Sequence, residues 1–291
     1  MIGTQTKIQS LSLDDYVRGS VLAEANLRDP DKDTTKRVAQ IQAILARTYA
    51  LANLSRHGSE GFDLCSTTHC QVYRPSETWP AHLQRVADEA VNSTRGIVVT
   101  HSGIPINAVF HADCGGHTSD AETIWRGSAP PYLRGKRDTF CLGSRGQHWR
   151  FEVSTSALRR ALNQHSRTRV GERLDTLVVT ERDVAGRAAR VMLRGEYTTI
   201  VRGEQLRATI LPHFGPRSLR STRFSVQYKE DLVVFEGQGF GHGVGLCQAG
   251  ALARARAGQS PQDILKHYYP GVVVAPWNDN FAPMYRDRFE S

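Results

Sequence analysis

Apolar residues recur at helical spacing up to about residue 92 and at strand spacing after it, and this change of period constrains the fold more than any other feature. Ser12 stands as a helix N-cap with Asp15 three residues on, followed by Tyr16, Val17 and Val21. That helix leads into Ala23-Glu24-Ala25, and the polar run Arg28 to Asp33 reads as a loop. A long helix is predicted from about Thr35, with Val38, Ile41, Leu45, Tyr49 and Ala52 on one stripe and Gly58 and Gly61 closing it off. A third spans roughly Pro80 to Asn92, marked by Leu83, Val86, Ala87, Ala90 and Val91. Ile97 to Thr100, a turn at Ser102-Gly103, and Ala108 to Phe110 then read as a β-hairpin. From Trp149 to Tyr228 strands and short helices alternate: Arg150 to Val153, Ala157 to Leu162, Thr176 to Thr180, Ala189 to Leu193. A last helix opens at Ser260-Pro261-Gln262-Asp263, with a cap, a first-turn proline and a capping acid. The pattern predicts an α+β fold, a helical N-terminal part packed with mixed β-sheet lobes around a cleft. One domain is expected over 11–275, with its N- and C-terminal segments forming the site and 145–230 a supporting α/β lobe within it.

At 40% hydrophobic and 23% charged residues, the 291-residue chain can bury a core without disulfides or metals. Its net charge of +8 raises nucleic acid as a partner, but 31 of its 37 basic residues are arginines scattered along the chain. A nucleic-acid surface gathers them on one element within a recognisable motif, so no nucleic-acid partner is expected. A basic surface equally suits polyanionic cell-wall material. The longest apolar stretches, Ile97 to Thr100 and Val272 to Ala275, are far too short to span a membrane, and no basic-then-apolar leader precedes Leu11. The five cysteines, Cys65, Cys70, Cys114, Cys141 and Cys247, are an odd number, which excludes a complete set of intrachain disulfides.

Four segments carry the candidate chemistry. They are Asp14-Asp15-Tyr16-Val17 leading to Val21-Leu22-Ala23-Glu24; Ala46 to Leu51, followed by Phe62 to Tyr73; Phe110 to Thr118; and Gly239 to Ala251. In this order and spacing they resemble the signature blocks of the stage II sporulation protein D (SpoIID/LytB) family, over about Leu11 to Gly271. The resemblance implies a lytic transglycosylase that cleaves peptidoglycan between MurNAc and GlcNAc and leaves 1,6-anhydroMurNAc. The alternative it implies is a non-catalytic wall-binding enhancer of an N-acetylmuramoyl-L-alanine amidase. Either places the chain in the cell envelope, outside the cytoplasm, with peptidoglycan strands and a cell-wall amidase as partners. Departures occur at Ala23-Glu24-Ala25-Asn26, at Asp113 and Cys114, and at Cys247 and Ala249, where the family usually carries other residues. The loss of a tryptophan in the last block bears on substrate preference more than on chemistry.

Glu24 is the candidate acid/base. A carboxyl at a helix C-terminus among apolar neighbours has its charged form disfavoured, as a general acid near neutral pH requires. One carboxylate suffices for a lytic reaction, in which the sugar's own 6-hydroxyl replaces water. Asp113, Asp120 and Glu122 are available if a second is needed, as ordinary glycosidases require. The glycine-rich block lacks the lysine and spacing of a phosphate loop. It reads instead as a tight turn presenting His242 and Gln248 to a cleft. Arg47, off the apolar stripe of its helix, is expected to line the site. Tyr49, which fits the stripe, and His111 complete the expected substrate-binding set.

His57, Cys65 and Cys70 have zinc-ligand chemistry, with His69 as a competing ligand. Relatives in the family that hold zinc with one histidine and two cysteines support that reading; a Cys65–Cys70 disulfide or two free thiols are the alternatives. A metal-dependent hydrolase built on these residues is a third functional possibility. Cys114 and Cys141 are expected to pair in an oxidising compartment, leaving Cys247 over.

Overall fold

The Ser12 hydroxyl accepts from Asp15 N at 3.2 Å and donates to the Asp15 carboxylate at 2.6 Å, and helix α1 (Leu13–Glu24) starts there. A computed structural model describes residues 7–143 and 148–277. The second helix begins earlier than its apolar stripe predicts. Asp31 accepts from Thr34 N at 2.9 Å, so α2 runs Lys32–Ala52 and takes in residues otherwise legible only as a polar loop. It also ends at Ala52, before Gly58, which opens a short 3₁₀ turn, and Gly61, which caps it. With α3 (Ala81–Ser93) these helices share a core of Val17, Val21 and Leu22 against Ala39, Ala43, Ala46, Ala87, Ala90 and Val91. The alanines let the helix backbones approach closely.

Strand β1 (Ile97–His101) turns through Ser102 and Gly103, both at positive φ (51° and 80°), into β2 (Ile104–Pro105). This is the expected two-residue hairpin turn. The return strand, however, is 104–105 and not 108–110, and it is cut short at Pro105. The other edge of β1 pairs antiparallel with Val273–Pro276, Ile97 opposite Pro276. Among the described residues the chain therefore divides into two compact units: 7–109 with 254–267 and 271–277, and 110–143 and 148–253 with 268–270.

In the second unit β3 (Phe110–His111) pairs in parallel with a two-residue strand, Leu246–Cys247, and Asp113 bridges Phe240. After a short helix α4 (Ala121–Ile124), the lobe holds β4 (His148–Ser154), α5 (Thr155–Leu162), β5 (Leu174–Arg182), β6 (Ala188–Gly195), β7 (Thr198–Arg202) and α6 (Gly203–Phe214). It is completed by β8 (Phe224–Lys229) and β9 (Leu232–Gln238), which form one sheet of order β4-β9-β8 beside the meander β5-β6-β7. Because β9 is the central strand of its sheet, Val233 and Phe235 belong to the same core as Trp149, Leu162, Leu193 and Leu206. The supporting lobe thus continues past residue 230, while residue 145, where it was expected to begin, lies outside the described residues. Leu246–Cys247 is β10, and α7 (Gln248–Arg256), α8 (Pro261–Tyr268, capped by Ser260) and β11 (Val273–Pro276) complete the described chain. The fold is α+β.

Candidate functional site

Glu24 is the last residue of α1 and half-buried, and its Oε1 accepts from Val72 N at 2.8 Å. Burial raises the pKa of this carboxyl above the usual range, against the opposing pull of the Val72 amide. Since Oε1 accepts, the proton of the neutral acid is carried on Oε2. The segment that supplies Val72 is seated on α1 by packing: the Tyr73 ring stacks on Tyr16 at 5.8 Å. Gly19 makes room for it, because a Cβ there would meet Tyr73 at 2.3 Å and the Arg74 carbonyl at 2.6 Å. A glycine inside an otherwise regular helix was the available signal for this contact.

Upstream of Val72 in the same segment, His57, Cys65, His69 and Cys70 offer ligand atoms that all lie within 4.8 Å of one another. His57 Nε2 is 3.4 Å from Cys70 Sγ, and His69 Nδ1 is 3.7 Å from both Cys65 Sγ and Cys70 Sγ. Cys65 and Cys70 are free thiols, so the disulfide alternative is not realised. Despite burial, hydrogen bonds from Thr67, His69 and Cys70 bring the Cys65 thiol down to about 6, into the range where a thiolate is available at neutral pH. Glu60, unnoticed in the sequence, binds His57 Nδ1 at 2.5 Å. That carboxylate fixes the proton on Nδ1 and turns Nε2 toward the thiols, an arrangement typical of histidine ligands. Two thiols and two imidazoles at these separations match a tetrahedral zinc site, in which S···N distances are about 3.6 Å. His69 lies with the three expected ligands, so four candidate ligand atoms come together.

Arg47 does not line a cleft. It is 2% exposed, its Nη1 donates to Thr94 O at 2.9 Å and Ile97 O at 3.2 Å, and its Nη2 lies 3.6 Å from Asp14. A guanidinium is the side chain that can tie a helix to several carbonyls at once. Tyr49 is a core residue as well, with its hydroxyl turned toward Cys70 and its pKa pushed up by burial to about 12.

In the second unit, the glycines at 239, 241, 243 and 245 all take positive φ, and the sharply folded segment wraps a residue that the sequence did not single out. Arg187 is fully buried, donates to Gly241 O at 3.1 Å and Cys114 O at 3.3 Å, and would lie 2.3 Å from a Cβ on Gly243. His242 lacks the outward-facing donor expected of it. Its Nε2 donates to Phe110 O at 2.9 Å and its Nδ1 accepts from Val244 N at 3.1 Å, so both ring nitrogens serve the backbone. Enclosure and the Arg187 charge hold its pKa down at about 3, keeping it neutral. His242→Ala should therefore show mainly a stability loss of about 1–3 kcal/mol from two unpaired backbone groups, seen in urea unfolding; a large KM increase with unchanged stability would contradict this assignment. His111 donates through Nδ1 to Val244 O at 3.1 Å and is held neutral by burial. Its Nε2 is thus left as a buried acceptor without a hydrogen bond among the described residues. Gln248 is the half-buried first residue of α7. Cys114 and Cys141 are not bonded to each other, and all five cysteines are free thiols. A cavity of about 760 Å³ in the lobe, lined by Trp149, Arg150, Arg182, Arg223 and Glu236, contains none of the candidate residues.

Residues 2–101 match the family described as SpoIID, stage II sporulation protein, and residues 143–245 match a domain of unknown function, DUF8618. The chain is similar to the stage II sporulation protein D of Bacillus subtilis (26% identity, covering 92% of this chain and 76% of that protein). It is also similar to an uncharacterized protein of Brachyspira hyodysenteriae (29%, 94% and 70%). A third relative is the amidase enhancer of Bacillus subtilis, at 26% identity over 81% of this chain and 37% of that protein. These matches support the SpoIID family, with residues 2–101 carrying the family match.

Proposed function

We propose that this chain acts on the cell wall as a peptidoglycan lytic transglycosylase, cutting glycan strands between MurNAc and GlcNAc with Glu24 as acid and then base. The observation that carries the reading is the desolvated Glu24 carboxyl, oriented through Oε1 by Val72 N and raised in pKa by burial. The neutral acid gives its proton to the bridging oxygen as the C1–O bond breaks. The resulting carboxylate takes the proton of the C6 hydroxyl as that oxygen closes on C1. The acid is thereby regenerated, the product is a 1,6-anhydro sugar, and no water is consumed. A single carboxylate can do both transfers because they occur in succession.

His57, Cys65, His69 and Cys70 would hold a zinc ion, which when bound supplies rigidity to the loop that ends at Val72. Cys65→Ser should lose that zinc and slow cleavage by roughly 10–100-fold, and Glu60→Gln should weaken the metal by about the same factor through the freed imidazole. Elemental analysis of untagged protein beside a cleavage assay checks both; full zinc content in Cys65→Ser would remove the cluster from the proposal.

The function itself is tested by incubating the purified chain with peptidoglycan and identifying the products by mass spectrometry. Anhydro-ended muropeptides are the expected result, and hydrolysed ends or intact strands would overturn it. The likeness to the amidase enhancer gives a second reading, stimulation of an amidase without cleavage. Faster amidase release in the absence of anhydro products would favour that one. Both readings place the chain outside the cytoplasm, and among the described residues no helix is long and apolar enough to cross a membrane.

A further inference from the structure

The three cysteines outside the Glu24 unit converge. Cys114, Cys141 and Cys247, all fully buried, and Asp138, also fully buried, place their ligand atoms within 4.8 Å of one another. Cys141 Sγ and Cys247 Sγ are 3.5 Å apart, and Cys114 Sγ lies 3.9 Å from Asp138 Oδ2. Around a tetrahedral ion with metal–sulfur bonds of about 2.3 Å and metal–oxygen bonds of about 2.0 Å, S···S separations are about 3.8 Å and S···O about 3.5 Å. The spacing fits one ion and is too tight for a multi-iron cluster between the sulfurs.

The surroundings are arranged for anionic sulfur. Cys114 N donates to Cys247 Sγ at 3.2 Å, Gly116 N to Cys114 Sγ at 3.3 Å and Gly250 N to Cys247 Sγ at 3.4 Å. Cys247 immediately precedes α7, so its sulfur occupies the cap of a helix N-terminus, where negative charge is stabilised. Asp138 is oriented by the Tyr268 hydroxyl, which donates to Oδ2 at 2.6 Å, the kind of support a ligating carboxylate receives. Gly250 clears the space: a Cβ there would meet Asp138 Oδ2 at 2.0 Å and Tyr268 Oη at 2.2 Å. A second buried carboxylate, Asp113, lies 3.1 Å from Cys141 Sγ through Oδ1. Three thiols and two carboxylates out of reach of water form a donor set that a divalent cation neutralises. A disulfide would use only two of the three sulfurs and leave the third thiol buried beside both acids.

We propose that Cys114, Cys141, Cys247 and Asp138 bind a zinc ion in a closed, purely structural site that ties the Phe110–Gly116 segment, residue 138 and the start of α7 together. Three thiolates favour zinc over magnesium or calcium, and four protein ligands leave no open position. The odd cysteine count is then accounted for: two cysteines in the first cluster and three in this one. The site stands on the second unit alone and does not depend on the lytic reading.

The test is zinc stoichiometry of the untagged full chain, purified without chelator and compared with a Cys65→Ser/Cys70→Ser variant. Zinc should survive in that variant at one ion per chain and disappear when Cys247→Ser is added. Asp138→Asn, which keeps the side chain's shape, should bind cobalt with the sulfur-to-cobalt absorption retained but affinity reduced at least tenfold, so a Cys247 variant that fails to fold leaves the question decidable. If only the first cluster's proposal fails, wild type carries one zinc that Cys65→Ser does not remove. A Cys65→Ser/Cys70→Ser protein without zinc, iron in its place, or a Cys141–Cys247 disulfide in peptide maps of unreduced protein would each overturn the second site.

Discussion

Glu24→Gln is expected to slow glycan cleavage by on the order of 100-fold or more while making the helical unit more stable at neutral pH. The amide keeps the acceptor for Val72 N but cannot carry a transferable proton. Burial raises the folded-state pKa of Glu24 above its ordinary 4.5, so between the unfolded and folded values the folded chain binds more proton. Wild-type stability therefore falls as pH rises through that window, and above it the ionised, desolvated carboxylate is a standing cost. The uncharged glutamine escapes this cost. Its advantage in melting temperature should be present at pH 7 and vanish below 4.5, where both side chains are neutral. The wild-type rate should decline across the same window as the acid form is lost. Turnover near wild type would end the assignment of Glu24, and a variant less stable at pH 7 would mean that the carboxylate has a charge partner stabilising it.

Arg187→Ala should cost about 3–5 kcal/mol in the second unit, the largest stability effect expected of any single change outside the two thiol clusters. The guanidinium is fully buried between Gly241 O and Cys114 O, with Asp183 as its strongest compensating charge. Truncation leaves a buried and a part-buried carbonyl and a carboxylate without that partner, plus a cavity under Gly243. Arg187→Lys retains the charge but not the fork that reaches two carbonyls, so it should recover less than half of the loss. Because the chain forms two units, the loss should be read from the calorimetric transition of the second one and not from a single two-state fit. A shift of less than about 1 kcal/mol for the alanine variant would show that the glycine-rich segment holds its shape without the arginine.

The caps illustrate how far local chemistry reaches. Ser12 and Ser260 start their helices where the capping pattern predicts, because the bonds involved span three residues. Asp31 is the same device, yet it sits in so polar a run that the apolar stripe alone sets the helix start too late. The hairpin turn at Ser102-Gly103 is equally local, whereas the return strand is Ile104–Pro105 and not the apolar run that ends at Phe110. Phe110–His111 instead pairs with Leu246–Cys247, more than a hundred residues away, a preference that short apolar runs do not encode.

The helix-end position of Glu24, the thiol and imidazole side chains at His57, Cys65 and Cys70, and the α+β class were legible in the sequence alone, because capping, periodicity and side-chain type are properties of neighbours in the chain. Whether a polar side chain faces substrate or backbone was decided only in three dimensions. Arg47 and His242 look like binding residues until Thr94 O, Ile97 O, Phe110 O and Val244 N are seen to occupy them. The pairing of Cys114 with Cys141 gave way to a cluster for the same reason. Buried backbone groups and sulfurs must find partners wherever the fold brings them, and that demand, set by chain segments far apart, outweighs what any local pattern predicts.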